Sequence, residues 1–144
     1  MRLSSLLLLL AVLLAGCASA PLPDGDDVVD RGLREVWTTF QDGVRASDAD
    51  ALDALVDPDP PDRFDTDGVV RGVLDMASLD PDFRAALLAT RAQDLRQEEE
   101  DVFAFVYEVS GSDDEGNTYE SGVYVYFRTT DEGRAYLVGM LAAG

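Results

Sequence analysis

The sequence predicts an α+β domain with helices first and an antiparallel sheet last. Two observations carry that prediction. Apolar residues recur at helical spacing from about residue 29 to residue 88, and then alternate one-in, one-out from Val102 onward. A third observation limits the answer to one domain: the 144 residues contain no internal repeat and no break in composition. Apolar residues make up 47% of the chain against 28% charged, enough to build a packed interior and too many for a disordered chain.

The N-terminus is read before the fold. Arg2 is followed by an unbroken apolar run from Leu6 to Ala15, shorter than the roughly 20 residues needed to cross a bilayer, so the segment reads as an export signal. The run closes on Leu14-Ala15-Gly16-Cys17, which resembles the lipobox of bacterial lipoproteins. That resemblance implies removal of residues 1–16, attachment of diacylglyceryl to the Cys17 sulfur, and a membrane partner reached through the anchor. It also favours the outer over the inner membrane in a host with both, because Ala18 lacks the retention signal that an Asp at that place provides. The simpler alternative is a secretory signal with an incidental Cys. Cys17 is the only cysteine, so no disulfide can form within one chain. Residues 17–27 read as the lipidated Cys and a tether: Pro21, Pro23 and Gly25 lie among small and acidic residues, with a reach of up to about 30 Å. One acyl chain holds a membrane only marginally and no polybasic patch is present to assist, so several chains are required. Residues 28–144 are left for the folded domain.

Val29, Leu33, Val36, Phe40 and Val44 define a first amphipathic helix over about 26–46, with Trp37 widening its apolar stripe. Gly32 and Gly43 each weaken it by roughly 1 kcal/mol relative to Ala, so it needs tertiary support. Ser47 or Asp48 caps a second, short helix bearing Leu52, Leu55 and Val56, which stops at Asp57-Pro58. An acidic, Pro-rich loop runs to about Phe64. Thr66 is the expected cap of a third helix carrying Val69, Val70, Val73 and Leu74. Asp80-Pro81 reads as the cap and first residue of a fourth, presenting Phe83, Leu87, Leu88 and Arg91. Residues 93–101, with Glu98-Glu99-Glu100, mark a helix end or a strand start at a solvated edge.

Val102–Val109 places Phe103, Phe105, Tyr107 and Val109 on one face, and Tyr119–Thr129 places Val123, Val125 and Phe127 on one face. The polar stretch 111–118 is their hairpin loop. Asp131-Glu132-Gly133-Arg134 is a tight turn into a final strand, Ala135–Leu141, completing an antiparallel meander.

This order resembles the nuclear transport factor 2-like, or cystatin-like, fold. The residues that carry the resemblance are the first helix with Trp37 and Phe40, the junction Ser47-Asp48-Ala49-Asp50-Ala51-Leu52, and the three terminal strands. The resemblance implies a curved sheet wrapped around the long helix as a cone, whose open end in that family takes small ligands or protein partners, or houses isomerase or dehydratase chemistry. Two departures stand out: residues 60–90 are more helical than the family pattern, and Tyr136 stands where a Gly-Trp pair is common.

Composition excludes much chemistry. With 29 acidic residues, 11 basic ones and a formal charge of -18, nucleic acid is repelled. No His and no Lys occur, which removes Ser-His and Cys-His nucleophile pairs, Schiff-base lysines and ordinary zinc sites. No catalytic residue, metal ligand or cofactor is assigned. The acids comprise 21 Asp and 8 Glu and every base is Arg, a balance expected of a halophilic host, where hydrated carboxylates keep protein soluble and salt screens their repulsion. Residues 62–68 imitate a calcium loop at Asp65, Asp67 and Gly68 but place Arg63 where the first ligand belongs and Leu74 at the closing position.

The candidate ligand-binding residues are Trp37, Phe40, Tyr124, Tyr126 and Arg128. Tyr124, Tyr126 and Arg128 share one strand face and offer two phenols and a guanidinium to an anionic or aromatic ligand. The alternative is an outer sheet face with ordinary cross-strand aromatics. Trp37 and Phe40 either line a pocket or belong to the buried stripe. The functional expectation is a membrane-tethered, non-catalytic module that binds an envelope protein or a small apolar ligand. The alternative is an isomerase or dehydratase using a desolvated carboxylate and a tyrosine, for which Glu108 and Glu120 are the only acids inside the strands read from alternation.

Overall fold

A computed structural model describes residues 25–112 and 115–143; Cys17 and the leader fall outside the described residues. The architecture is α+β: four helices precede a four-stranded antiparallel sheet. Helix α1 spans Gly25–Ala46, α2 Ala49–Asp53, α3 Val69–Leu79 and α4 Pro81–Ala89, with a single 3₁₀ turn at Ala92–Asp94. Strands β1 (Arg96–Glu99), β2 (Val102–Ser112), β3 (Thr118–Thr129) and β4 (Ala135–Ala143) lie in sheet order 1-2-3-4. Helix α1 begins at Gly25, inside the stretch read as tether.

Helix α1 buries Leu33, Val36, Trp37, Phe40 and Val44, the stripe its periodicity defines, against the sheet. Its glycines have a use the sequence conceals. A methyl group on Gly32 would collide with the Gly133 carbonyl of the β3–β4 turn, and one on Gly43 would sit 2.7 Å from buried Leu52. The propensity cost therefore allows close packing at both places. The helix ends at Ser47, whose φ of 53° is left-handed, with the Asp48 amide reaching back to the Gly43 carbonyl at 2.9 Å.

Asp48 caps α2, its carboxylate accepting from the Ala51 amide at 3.0 Å. The helix stops earlier than the sequence predicts. Leu55 and Val56 leave it to form a parallel bridge with the sheet edge: the Leu137 amide donates to the Leu55 carbonyl at 2.8 Å and the Asp57 amide to the Leu137 carbonyl at 2.9 Å. Tertiary pairing thus takes residues that local spacing assigns to a helix. Gly68, at φ 75°, stands at the N-cap of α3 in place of Thr66, which contributes its carbonyl to the Val69 amide. Helix α4 is capped as expected, Asp80 accepting from the amides of Asp82 and Phe83 with Pro81 at the first position.

In the sheet, Phe105, Val123, Val125, Phe127 and Leu137 point toward the helices and are buried. A register irregularity beside Tyr126/Phe127 shifts β3 against β4, so that Leu137 and Val138 are both fully buried. Strand β1 is short, exposed along its length and charged, which protects the sheet's outer edge from further pairing.

Candidate functional site

The sequence-derived candidates fall in two places. Trp37 and Phe40 are 1% and 0% exposed. Their rings stack 5.5 Å apart, and Phe127 meets Trp37 and Phe40 edge-on at 5.4 and 5.1 Å. Phe105 lies 5.9 Å from Trp37, and Phe83 packs edge-on against Phe105 at 5.7 Å. The indole N–H of Trp37 donates to the Thr90 carbonyl at 2.9 Å, satisfying its only polar atom. The space between α1 and the sheet is filled by the protein's own rings.

Tyr124, Tyr126 and Arg128 lie on the opposite face of β3, as alternation requires. The two phenol rings are nearly parallel, 6.3 Å apart, and Phe64 from the loop after α2 extends the row, 5.6 Å from Tyr126. Guanidinium groups close both ends: Arg96 stands 5.5 Å over Tyr124 and Arg63 4.8 Å over Phe64. The Tyr124 hydroxyl donates to Glu108 at 3.3 Å. Burial raises the Tyr126 phenol above its ordinary pKa, with help from nearby Glu98. A shallow groove of about 410 Å³ runs beside this row, floored by Phe64, Val102, Tyr126 and Met140 and edged by Arg63 and Glu99. These last two are themselves ion-paired.

Arg128 does not join the row. Its Nε and Nη2 both donate to one oxygen of Asp57, at 3.1 and 2.5 Å, while the other Asp57 oxygen accepts from the Asp59 amide at 3.0 Å. The Asp57 side chain is 3% exposed, and it is the one buried carboxylate among the described residues. The pair fastens the loop after α2 to the sheet. Sequence reasoning treated Asp57 only as a helix terminator; its position behind Leu55-Val56 at the start of an apolar-to-loop transition was the available signal.

A second site was not anticipated. The Thr90 carbonyl accepts from Trp37 and also from the Gln41 amide at 2.8 Å, and Gln41 donates to the Leu87 carbonyl as well. These bonds pin the end of α4 to α1, and the 3₁₀ turn then swings away toward β1. Between α1, that turn and the first two strands lies a cleft of about 420 Å³, at the small end of ordinary ligand sites. Its floor is apolar, made by Leu33, Ala92, Leu95 and Phe103. Its polar lining is Arg34, Arg91, Gln93 and Gln97, with no carboxylate among the described side chains. Arg91 is held bidentately by Asp94 at 2.7 and 2.9 Å, which also draws the Asp94 carboxyl below its ordinary pKa. Arg34 meets no carboxylate among the described residues.

Among the described residues no group of three or more His, Cys, Asp or Glu is placed to hold a metal ion. In the stretch resembling a calcium loop, Asp65 accepts from the Asp67 amide at 2.9 Å and Arg63 pairs with Glu99. Glu108 and Glu120 are both exposed. No described helix is long and apolar enough to cross a membrane. No family model, curated protein or solved structure matches the chain significantly.

Proposed function

We propose that this protein is a lipid-anchored, non-catalytic binding module of the cell envelope, tethered through Cys17 and folded in the nuclear transport factor 2-like manner. The observation that carries the non-catalytic reading is the state of Asp57. A general base must be desolvated and free to accept a proton, and the one buried carboxylate among the described residues is instead engaged by two nitrogens of Arg128. The helical N-terminal part, the long helix laid on the sheet and the late meander support the family reading; the apolar run ending at Cys17 supports the anchor.

The acid excess fits a saline surrounding. With a formal charge of -18 and a single buried carboxylate among the described residues, nearly all the described negative charge faces solvent, where self-repulsion falls as salt shortens the Debye length to about 3 Å at 1 M. Melting should rise by several degrees between dilute buffer and molar NaCl, and equal melting temperatures would remove this part of the reading.

The anchor is tested by mass spectrometry of protein isolated from native membranes. The expected product begins at Cys17 and carries diacylglyceryl and further acyl mass; an intact Met1 with a free thiol would overturn it. Binding is tested by capture from those membranes together with ligand-induced melting shifts, and a chain that yields neither a partner nor a shift is not a binding module.

A further inference from the structure

We propose that the cleft between α1, the 3₁₀ turn and the first two strands binds a single-chain amphipathic carboxylate, its alkyl part on Leu33, Leu95 and Phe103 and its head on Arg34. This deepens the binding-module reading by naming the site and the ligand class, and it rests on that reading only for biological meaning, since the cleft is a property of the folded domain.

Three observations converge. The first is charge. In a chain with 29 acids and 11 bases, a concave surface whose described lining has two guanidiniums, two carboxamides and no carboxylate departs from the rest of the molecule. The second is the difference between its two arginines. Asp94 already neutralises Arg91, whereas Arg34 pairs with no carboxylate among the described side chains and lines both this cleft and the open hollow it shares with Arg31, Glu35, Thr38 and Thr39. Its planar fork suits two-point contact with a carboxylate. The third is the floor. Leu33 and Leu95 are almost wholly buried, while Phe103 keeps part of its ring accessible. The carboxamide of Gln93 stands at the same rim as a further donor. A cleft of about 420 Å³ holds one short chain and is too small for a diacyl lipid.

A cavity of about 410 Å³ beside α3 has Asp53 in its lining next to Arg71, and one of the same size on the outer sheet face also suits this ligand poorly. Its arginine is paired with Glu99, and Glu98 also borders it, so an anion meets repulsion there.

The test uses the full chain in nanodiscs of zwitterionic phosphatidylcholine, titrated calorimetrically with octanoate, with octanol and acetate as probes lacking the charge or the chain. Saturable one-to-one binding of octanoate is expected, with neither control competing at equal concentration. Arg34→Gln should weaken binding about ten-fold or more, the size of a lost charge-assisted contact. Arg71→Gln, an exposed arginine on α3, should leave it unchanged. Both variants lie on the surface and should keep the parent melting temperature. Overturning results are an absence of saturable octanoate binding, equal binding of octanol, or equal weakening by the two substitutions. Octanoate binding by a chain that carries no acyl mass would keep the cleft and discard the anchor; an acylated chain that ignores octanoate would do the reverse.

Discussion

The two faces of the sheet are built from the same strands and behave differently. On β3, Val123, Val125 and Phe127 turn inward and are buried, while Tyr124, Tyr126 and Arg128 turn outward and keep part of their surface in water. The inner face is closed by rings in contact from α1, α4, β2 and β3. A single loop, bearing Phe64 and fastened by the Asp57–Arg128 pair, lies against the outer face. The comparison teaches that candidate aromatics cannot be sorted by residue type. Trp37 and Phe40 serve stability because their helix face lies on the inner face of the sheet; Tyr124 and Tyr126 remain accessible because no helix covers the outer face.

The largest effect that sharpens this contrast is expected inside. Phe127→Ala empties the centre of the ring cluster and should cost about 3–5 kcal/mol, measured by urea unfolding followed through Trp37 fluorescence. A loss below about 1 kcal/mol would mean that the inner face is not the stabilising one. Next comes the ion pair that the outer face buries. Arg128→Met leaves Asp57 without its partner and should cost about 2–3 kcal/mol, discounted because the arginine side chain is 23% exposed. The double substitution Asp57→Leu with Arg128→Met should recover most of that loss, and a double-mutant cycle showing no coupling would break the claim that the pair fastens the loop.

Smaller is Tyr124→Ser, which removes one member of the outer row and should cost about 0.5–1 kcal/mol. The smallest effect is a pH dependence. Burial raises the Tyr126 phenol, and burial with the charges of Asp80 and Asp82 raises that of Tyr107. In the unfolded chain both titrate near the ordinary value of about 10. The unfolded state therefore releases its protons first, so stability is intact below about pH 10 and declines as pH rises beyond it. Phenolate absorbance of the folded protein should show a late-titrating component that is lost in the double variant Tyr107→Phe with Tyr126→Phe; a titration curve whose late part is unchanged in that variant would contradict the assignment.

Much of the fold was legible because its signals are local. The cap Asp80 with Pro81 at the first helical position, the stripe from Leu33 to Val44, and the alternation through Val125 and Phe127 each depend on residues within a few positions of one another. The errors arose where a distant partner decided. Leu55 and Val56 suit a helix until the β4 edge offers a bridge at Leu137, and the cost of Gly32 is understood only when the Gly133 carbonyl is seen to press against it. The Arg34 cleft was invisible for the same reason, since its floor joins Leu33 to Leu95 and Phe103 from across the chain.

What the sequence determined by itself is the class of fold, the order of its elements and the restriction on its chemistry. Periodicity follows from backbone geometry, and a missing residue type cannot be supplied by folding. Only the tertiary structure decided which aromatics are enclosed, which arginine neutralises the buried aspartate and which pairs with no carboxylate among the described side chains. Those outcomes depend on the approach of segments roughly 50 to 90 residues apart, where burial and charge pairing are properties of the assembled surfaces and of no single stretch of chain.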